Sequence, residues 1–250
     1  MSAKRALAGV QAIILDIEGT TTPITFVYNT LFPFARNHLR SYLEIHCSSP
    51  ECVTLLDQLR EEYGSDQEAN ADVPAWDDTS AETRLASIDR YVNWLIDRDR
   101  KSRALKELQG RIWEEGYRTG DLTGEVFADV APALERWCRQ GIDVGIFSSG
   151  SVLAQQLLFR HSSAGDLTRF LRWYFDTRIG AKTEVESYRR IATTVGIAPI
   201  EILFVSDVTR ELDAARSAGL RTVLSLRPGN AALLDTAGHM QIRSFDELSE

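Results

Sequence analysis

The sequence predicts an α/β fold, a doubly wound parallel sheet with an inserted all-helical unit. Four short apolar runs, at 10–15, 144–147, 202–205 and 221–226, are too brief for helices and suit strands covered on both faces. From about residue 130 onward such runs alternate with helical patterns, the signature of a doubly wound sheet. Between the first run and the others lie about a hundred residues without a convincing strand.

Taken in order, residues 10–15 form the first strand and end in Asp16-Ile17-Glu18-Gly19. The insertion, residues 24–125, then carries three helical patterns. One starts at Ser49-Pro50-Glu51 and is expected to stop near Gly64. Another opens at the capping-box sequence Thr79-Ser80-Ala81-Glu82 and places Ile88, Tyr91, Val92, Leu95 and Ile96 on one face. The last runs from Ser102 to Tyr117, and the polar stretch 65–78 reads as an exposed loop. The core, residues 1–23 and 126–250, resumes with a helix over 132–140, where Pro132 lies early and Gly141 just after the end. Helices follow at 151–161, 184–195 and 209–218, with a shorter fifth strand at 173–175.

Composition narrows the function. The 250 residues are 44% hydrophobic, enough for one large α/β domain with an inserted smaller one. No stretch approaches the roughly 20 apolar residues of a membrane helix. The N-terminal segment has a positive start and an apolar run, but that run ends in Asp-x-Glu without a cleavage pattern, so a cytoplasmic protein is expected. Cys47, Cys52 and Cys138 form no CxxC pair, so they read as buried or half-buried thiols rather than a disulfide or thiolate-metal framework. A net charge of −8 argues against nucleic acid as a partner. It also means that an anionic substrate must be held by local devices and not by the overall field.

Four local patterns supply such devices. Asp16 and Glu18 stand two residues apart at a strand end, where open α/β sheets bind their ligands. One carboxylate can attack phosphorus while the other exchanges a proton with the leaving oxygen; a solvated strand-end turn is the plain alternative. Ser148-Ser149-Gly150-Ser151 closes a second strand with hydroxyls and backbone N–H groups suited to an anion, though Ser and Gly also mark ordinary loops. Lys182, just before a helix, can hold a phosphate and the charge of the attacking carboxylate, or simply be solvated. Asp207 in Ser206-Asp207, with Arg210 and Glu211 on the next turn, can complete a magnesium site with Asp16 or serve as an N-cap. All four fall at strand ends or before helices, in the order carboxylate pair, Ser, Lys, Asp.

That order resembles the four-motif pattern of the haloacid-dehalogenase superfamily. More closely, DIEGTTTPITFV, the SSGS turn, FDTRIGAKTE, SDVTRE and RPGN together resemble the enolase-phosphatase family of methionine salvage, over the whole chain. Glu18 departs from the superfamily's second Asp but agrees with this family. The resemblance implies a haloacid-dehalogenase-like Rossmannoid core with a helical cap and one Mg²⁺ per subunit. Asp16 would be nucleophile and metal ligand, and Asp207 the remaining carboxylate ligand. Glu18 would coordinate through its backbone carbonyl, leaving its side chain for acid–base work. Ser148, Ser149 and Lys182 would bind the substrate phosphate. The implied substrate is 2,3-diketo-5-methylthiopentyl-1-phosphate, enolised and then dephosphorylated to an acireductone by a monomeric enzyme. The insertion would exclude water from the enolate; a dimerisation or packing appendage is its alternative. Phe26, Phe32 and Trp94 are candidates for the methylthio tail, or core residues of the cap.

Three rivals remain at this stage: a general small-metabolite phosphatase, a phospho-acceptor signalling module and a catalytically dead scaffold. The chain is too long for a bare signalling module, and Glu18 supplies a hydrolytic base that a lasting phosphoryl mark would not want. No motif residue is missing, which argues against a dead scaffold.

Overall fold

The computed structural model describes residues 6–69, 72–98, 100, 102–232 and 236–249. Its chain divides into two compact units, Met1–Val27 with Thr123–Glu250, and Tyr28–Leu122.

The first unit is an α/β sandwich around a six-stranded sheet of order β3-β2-β1-β4-β5-β6. The strands are β1 (Ala12–Leu15), β2 (Asp143–Phe147), β3 (Leu171–Phe175), β4 (Ile202–Ser206), β5 (Arg221–Ser225) and β6 (Met240–Ile242), and every pairing is parallel. Ala12, Ile13, Ile14 and Leu15 are fully buried, as expected of a central strand covered on both faces. Burying each of the Ile and Leu side chains contributes roughly 1.5–3 kcal/mol. One core cluster joins Ile14, Phe147 and Phe204 to Tyr188, Ile191 and Leu212.

The sixth strand escaped the sequence reading because it is three residues long with exposed Gln241 at its centre. A short helix, α1 (Ile24–Phe26), leaves the β1 turn and runs into a π-helical turn at Val27–Leu31. Four longer helices complete this unit: α6 (Val130–Arg139), α7 (Val152–Arg160), α8 (Val185–Val195) and α9 (Thr209–Ser217).

The second unit is helical, with α2 (Phe32–His46), α3 (Pro50–Glu68), α4 (Ala81–Asp97) and α5 (Arg103–Thr119). Helix α2 was not anticipated; Ala35, Leu39, Tyr42 and Leu43 give it a buried face behind Pro33 at its start. Helix α3 does not stop at Gly64. A mid-helix glycine costs about 1 kcal/mol, and packing beyond it outweighs that. Tyr63 is buried against Tyr91, while Asp66 accepts a hydrogen bond from the Tyr91 hydroxyl (2.9 Å) and pairs with Arg100.

The stretch 65–78 is therefore not simply an exposed loop: it begins helical, and Trp76 packs 4.9 Å from the Tyr63 ring under the Arg60 guanidinium. The cap of α4 is also one residue later than its sequence signature. Ser80 is the N-cap and exchanges hydrogen bonds with Thr83, at 3.1 and 3.0 Å. Among the cysteines, Cys138 is exposed rather than buried, Cys47 is half-buried and Cys52 buried, all as free thiols. No helix among the described residues is long and apolar enough to cross a membrane.

Candidate active site

Strand order places the site. In the order 3-2-1-4-5-6 the direction of winding reverses between β1 and β4, and ligands of such sheets sit at the carboxyl ends there. Leu15 is level with Ile146 of β2 and Val205 of β4. Asp16 is therefore level with Ser206, the last residue of β4, and with Phe147, the residue before Ser148.

Asp16 is buried, 4% exposed, and its carboxylate is held by three donors. Its Oδ1 accepts from Lys182 Nζ at 2.6 Å and from the Ile17 N–H at 2.7 Å, and its Oδ2 accepts from the Ser206 hydroxyl at 3.2 Å. Lys182 comes from the loop after β3, two strands away. That loop is pinned by α8: the Tyr188 hydroxyl donates to the Lys182 carbonyl (2.6 Å) and Ser187 to the Ala181 carbonyl (2.7 Å). Gly180 is obligatory in this loop, because at its φ of +136° a Cβ would lie 2.2 Å from the Ser187 hydroxyl. Tied back in this way, the loop sends the Lys182 side chain over the Phe147 ring to Asp16.

The sequence reading gave no role to Glu211. It accepts from Lys182 Nζ at 2.7 Å and from the Ser206 hydroxyl at 2.9 Å, closing a ring with Asp16. Nothing in the sequence singled it out, since it sits in the first turn of α9 like many helix-start acids. Ser206 was noted only as the neighbour of Asp207, although its hydroxyl ties Asp16 to Glu211. Burial alone would lower the Lys182 ammonium, but Asp16 and Glu211 outweigh it and hold it above its ordinary value, so it stays charged. Glu211 is pushed upward by burial and by Asp16, against the pull of Lys182.

Asp207 is half-buried on the turn after β4, so close to Gly19 that a Cβ on that glycine would lie 2.3 Å from its Oδ2. Burial first, then the charges of Asp16 and Glu211, raise Asp207 to about 7. This is a carboxylate group short of positive charge. Among the described residues no cluster of three or more His, Cys, Asp or Glu side chains is arranged as a metal site. Two carboxylates, a backbone carbonyl and water nonetheless suit Mg²⁺, which is rarely caged by protein alone.

Glu18 is half-buried on the turn leaving β1, bridged through its backbone to Thr22. Ser148 is buried, its N–H donating to Phe175 and its hydroxyl accepting from the Gly150 N–H (3.2 Å); Ser149 beside it is exposed. Ser151 caps α7, so both serines stand before that helix's N-terminus, a setting suited to an anion. Of the tail candidates, Phe26 is buried in the α/β unit and not in the helical one, and Trp94 is 9% exposed. Phe32 lines a cavity of about 350 Å³ in the helical unit with Tyr28, Pro33, Arg36, Asn37 and Ile96.

This arrangement, a buried strand-end Asp bound by a charged Lys with serines and a second acidic turn beside it, is suited to phosphoryl transfer through an acyl-phosphate. A family model described as haloacid dehalogenase-like hydrolase matches residues 10–219, which sets the class of protein. Enolase-phosphatase E1 of Synechococcus elongatus is 52% identical over 239 residues, covering 96% of this chain and 98% of that protein. The protein of the same name from Branchiostoma floridae is 46% identical over 256 residues, covering 97% and 85%. The chain belongs to the enolase-phosphatase family of these hydrolases. Among solved structures, the UTR4 protein of Saccharomyces cerevisiae is similar with a TM-score of 0.76 at 32% identity, covering 95% of this chain and 99% of that one.

Proposed function

We propose that this protein converts 2,3-diketo-5-methylthiopentyl-1-phosphate to the acireductone 1,2-dihydroxy-3-keto-5-methylthiopentene and phosphate, in methionine salvage. The observation that carries the reading is the buried ion pair of Asp16 with Lys182 at 2.6 Å, at the switch point of a chain of this family.

Enolisation comes first: a proton leaves the carbon beside the carbonyl and the carbonyl oxygen becomes a hydroxyl. Asp16 then attacks phosphorus, the bond from phosphorus to the substrate oxygen breaks, and Glu18 gives that oxygen a proton. Water next attacks the aspartyl-phosphate, Glu18 takes its proton, and phosphate leaves with Asp16 restored. Lys182, Ser148 and Ser149 hold the phosphate throughout, and Lys182 also balances the charge of Asp16. General acid–base help of this kind contributes about 10²–10⁴-fold. One Mg²⁺ fits the hard oxygens of Asp16, Asp207 and the Glu18 carbonyl, and when bound it supplies positive charge to the diketone and phosphoryl oxygens.

The helical unit acts in this reading as a cap that excludes water from the enolate. The enzyme works as a monomer in the cytoplasm on a small soluble substrate, and its charge of −8 speaks against nucleic acid. The test follows enediol absorbance and phosphate release from a 2,3-diketoalkyl-1-phosphate in parallel, with Mg²⁺ and with EDTA. Both signals, each requiring Mg²⁺, are expected. Phosphate release from simple esters with the diketone untouched would instead make the protein a general phosphatase.

A further inference from the structure

The turn that carries Glu18 is held from outside in an unusually complete way. Three successive carbonyls just beyond Glu18 each accept a hydrogen bond from another part of the α/β unit. Gly19 is bound by the Asn230 side-chain amide (2.9 Å), Thr20 by Arg227 Nε (3.0 Å) and Thr21 by the Phe127 N–H (3.0 Å). Within the turn, the Ile17 carbonyl accepts from the N–H groups of Thr20, Thr21 and Thr22. Its backbone has little freedom left.

Arg227 is itself firmly placed. Its side chain is 3% exposed, its Nη1 donates to Asp129 Oδ2 at 2.7 Å, and its guanidinium lies between the rings of Phe127 (4.6 Å) and Phe245 (4.4 Å). Asp129 Oδ2 also accepts from the Phe245 N–H at 2.6 Å and the Ser244 hydroxyl at 3.1 Å. A planar fork that stacks on two rings and bonds in two directions is a role lysine cannot fill. Asn230 is tied to the same loop, its N–H donating to the Arg227 carbonyl at 3.2 Å.

We infer that Arg227 and Asn230 are positioning residues for the proton transfers of Glu18. They touch no reacting atom. By fixing the carbonyls of Gly19 and Thr20 they set the height and direction of the turn from which Glu18 must reach first the leaving oxygen and then the attacking water. A misplacement of about 1 Å in such a geometry can cost about 10²-fold in rate. The inference rests on the reading of Glu18 as acid and base.

The test is a double-mutant cycle at saturating Mg²⁺ with Asn230→Ala, Glu18→Gln and the two combined, measuring kcat and KM for the diketone phosphate beside thermal unfolding. Asn230→Ala is expected to lower kcat about tenfold, with KM changed less than about threefold. In the Glu18→Gln background the same change should cost less than about twofold, since the side chain being aimed no longer transfers protons. Arg227→Lys should follow the same pattern with a larger loss; if it does not fold, Asn230→Ala carries the test alone. A general loss of folded protein would lower both backgrounds equally. A tenfold cost of Asn230→Ala that persists in Glu18→Gln, or an unchanged kcat in Asn230→Ala, overturns the brace and leaves Glu18 its role. A fully active Glu18→Gln enzyme overturns both.

Discussion

Lys182 shows how a residue that is unremarkable in sequence becomes central once its surroundings are known. Before a helix in Gly180-Ala181-Lys182 it could equally be a solvated cation. In the fold it is a buried ammonium shared by Asp16 and Glu211. Removing it strands two buried carboxylates and, in the proposed mechanism, takes away a donor to the phosphate. Lys182→Met should therefore lower kcat by about 10²–10³-fold, the usual cost of a lost charge-stabilising donor. Steady-state kinetics check this, with circular dichroism to establish folding. The placement of Asp16 and Asp207 just beyond strand ends was legible, because each follows a short apolar run. Glu211 was not, because its partner is a lysine nearly thirty residues earlier in the chain, and only the fold brings them together. The Arg227 brace was hidden for the same reason: RPGN names a turn, and nothing in its letters says which carbonyls it reaches.

At the scale of elements, the strands and the helices around them follow from periodicity with small shifts of their ends. The failures lie where packing overrides local preference. Helix α3 runs through Gly64 because Tyr63 and Asp66 have buried partners, and β6 is too short and polar to declare itself. The turn after β1 is the opposite case, since its glycine is demanded by geometry. Gly19 has φ +68°, and a Cβ there would strike Asp207 at 2.3 Å and Asn230 at 3.0 Å. Gly19→Ala combines left-handed strain of about 1–2 kcal/mol with displacement of a carboxylate from the site. Activity should fall about 10²-fold, while Tm drops by only about 2–8 °C. Unchanged kinetics would mean that the turn can move without consequence.

At the scale of the whole molecule, the chain leaves the sheet after β1, forms Tyr28–Leu122 as a separate compact unit, and returns to build the remaining strands. The α/β unit thus gathers its acidic groups from two distant parts of the chain. Asp207, raised to about 7, takes up a proton in the folded, metal-free protein well above the ordinary carboxylate range. The folded state then binds more protons than the unfolded one between the ordinary value and about 7. The stability this contributes is present at low pH and lost as pH rises through about 7. If Asp207 is a metal ligand as proposed, Mg²⁺ competes with that proton. The rise in Tm on adding Mg²⁺ should therefore be larger at about pH 8 than at about pH 5.5. An equal rise at both values would exclude Asp207 as the group that couples metal to proton.

The central claim is that Asp16 carries the phosphoryl group between the two halves of the phosphatase reaction. It is tested most directly by acid-quenching the Glu18→Gln enzyme during turnover and locating the phosphoryl group by peptide mass spectrometry. The account predicts that the trapped phosphoryl group sits on Asp16 and on no other residue; because Glu18→Gln slows formation and hydrolysis alike, the trapped fraction is set by the ratio of the two steps. A phosphoryl group trapped on any other residue, or an Asp16→Asn enzyme that still turns over, would contradict it.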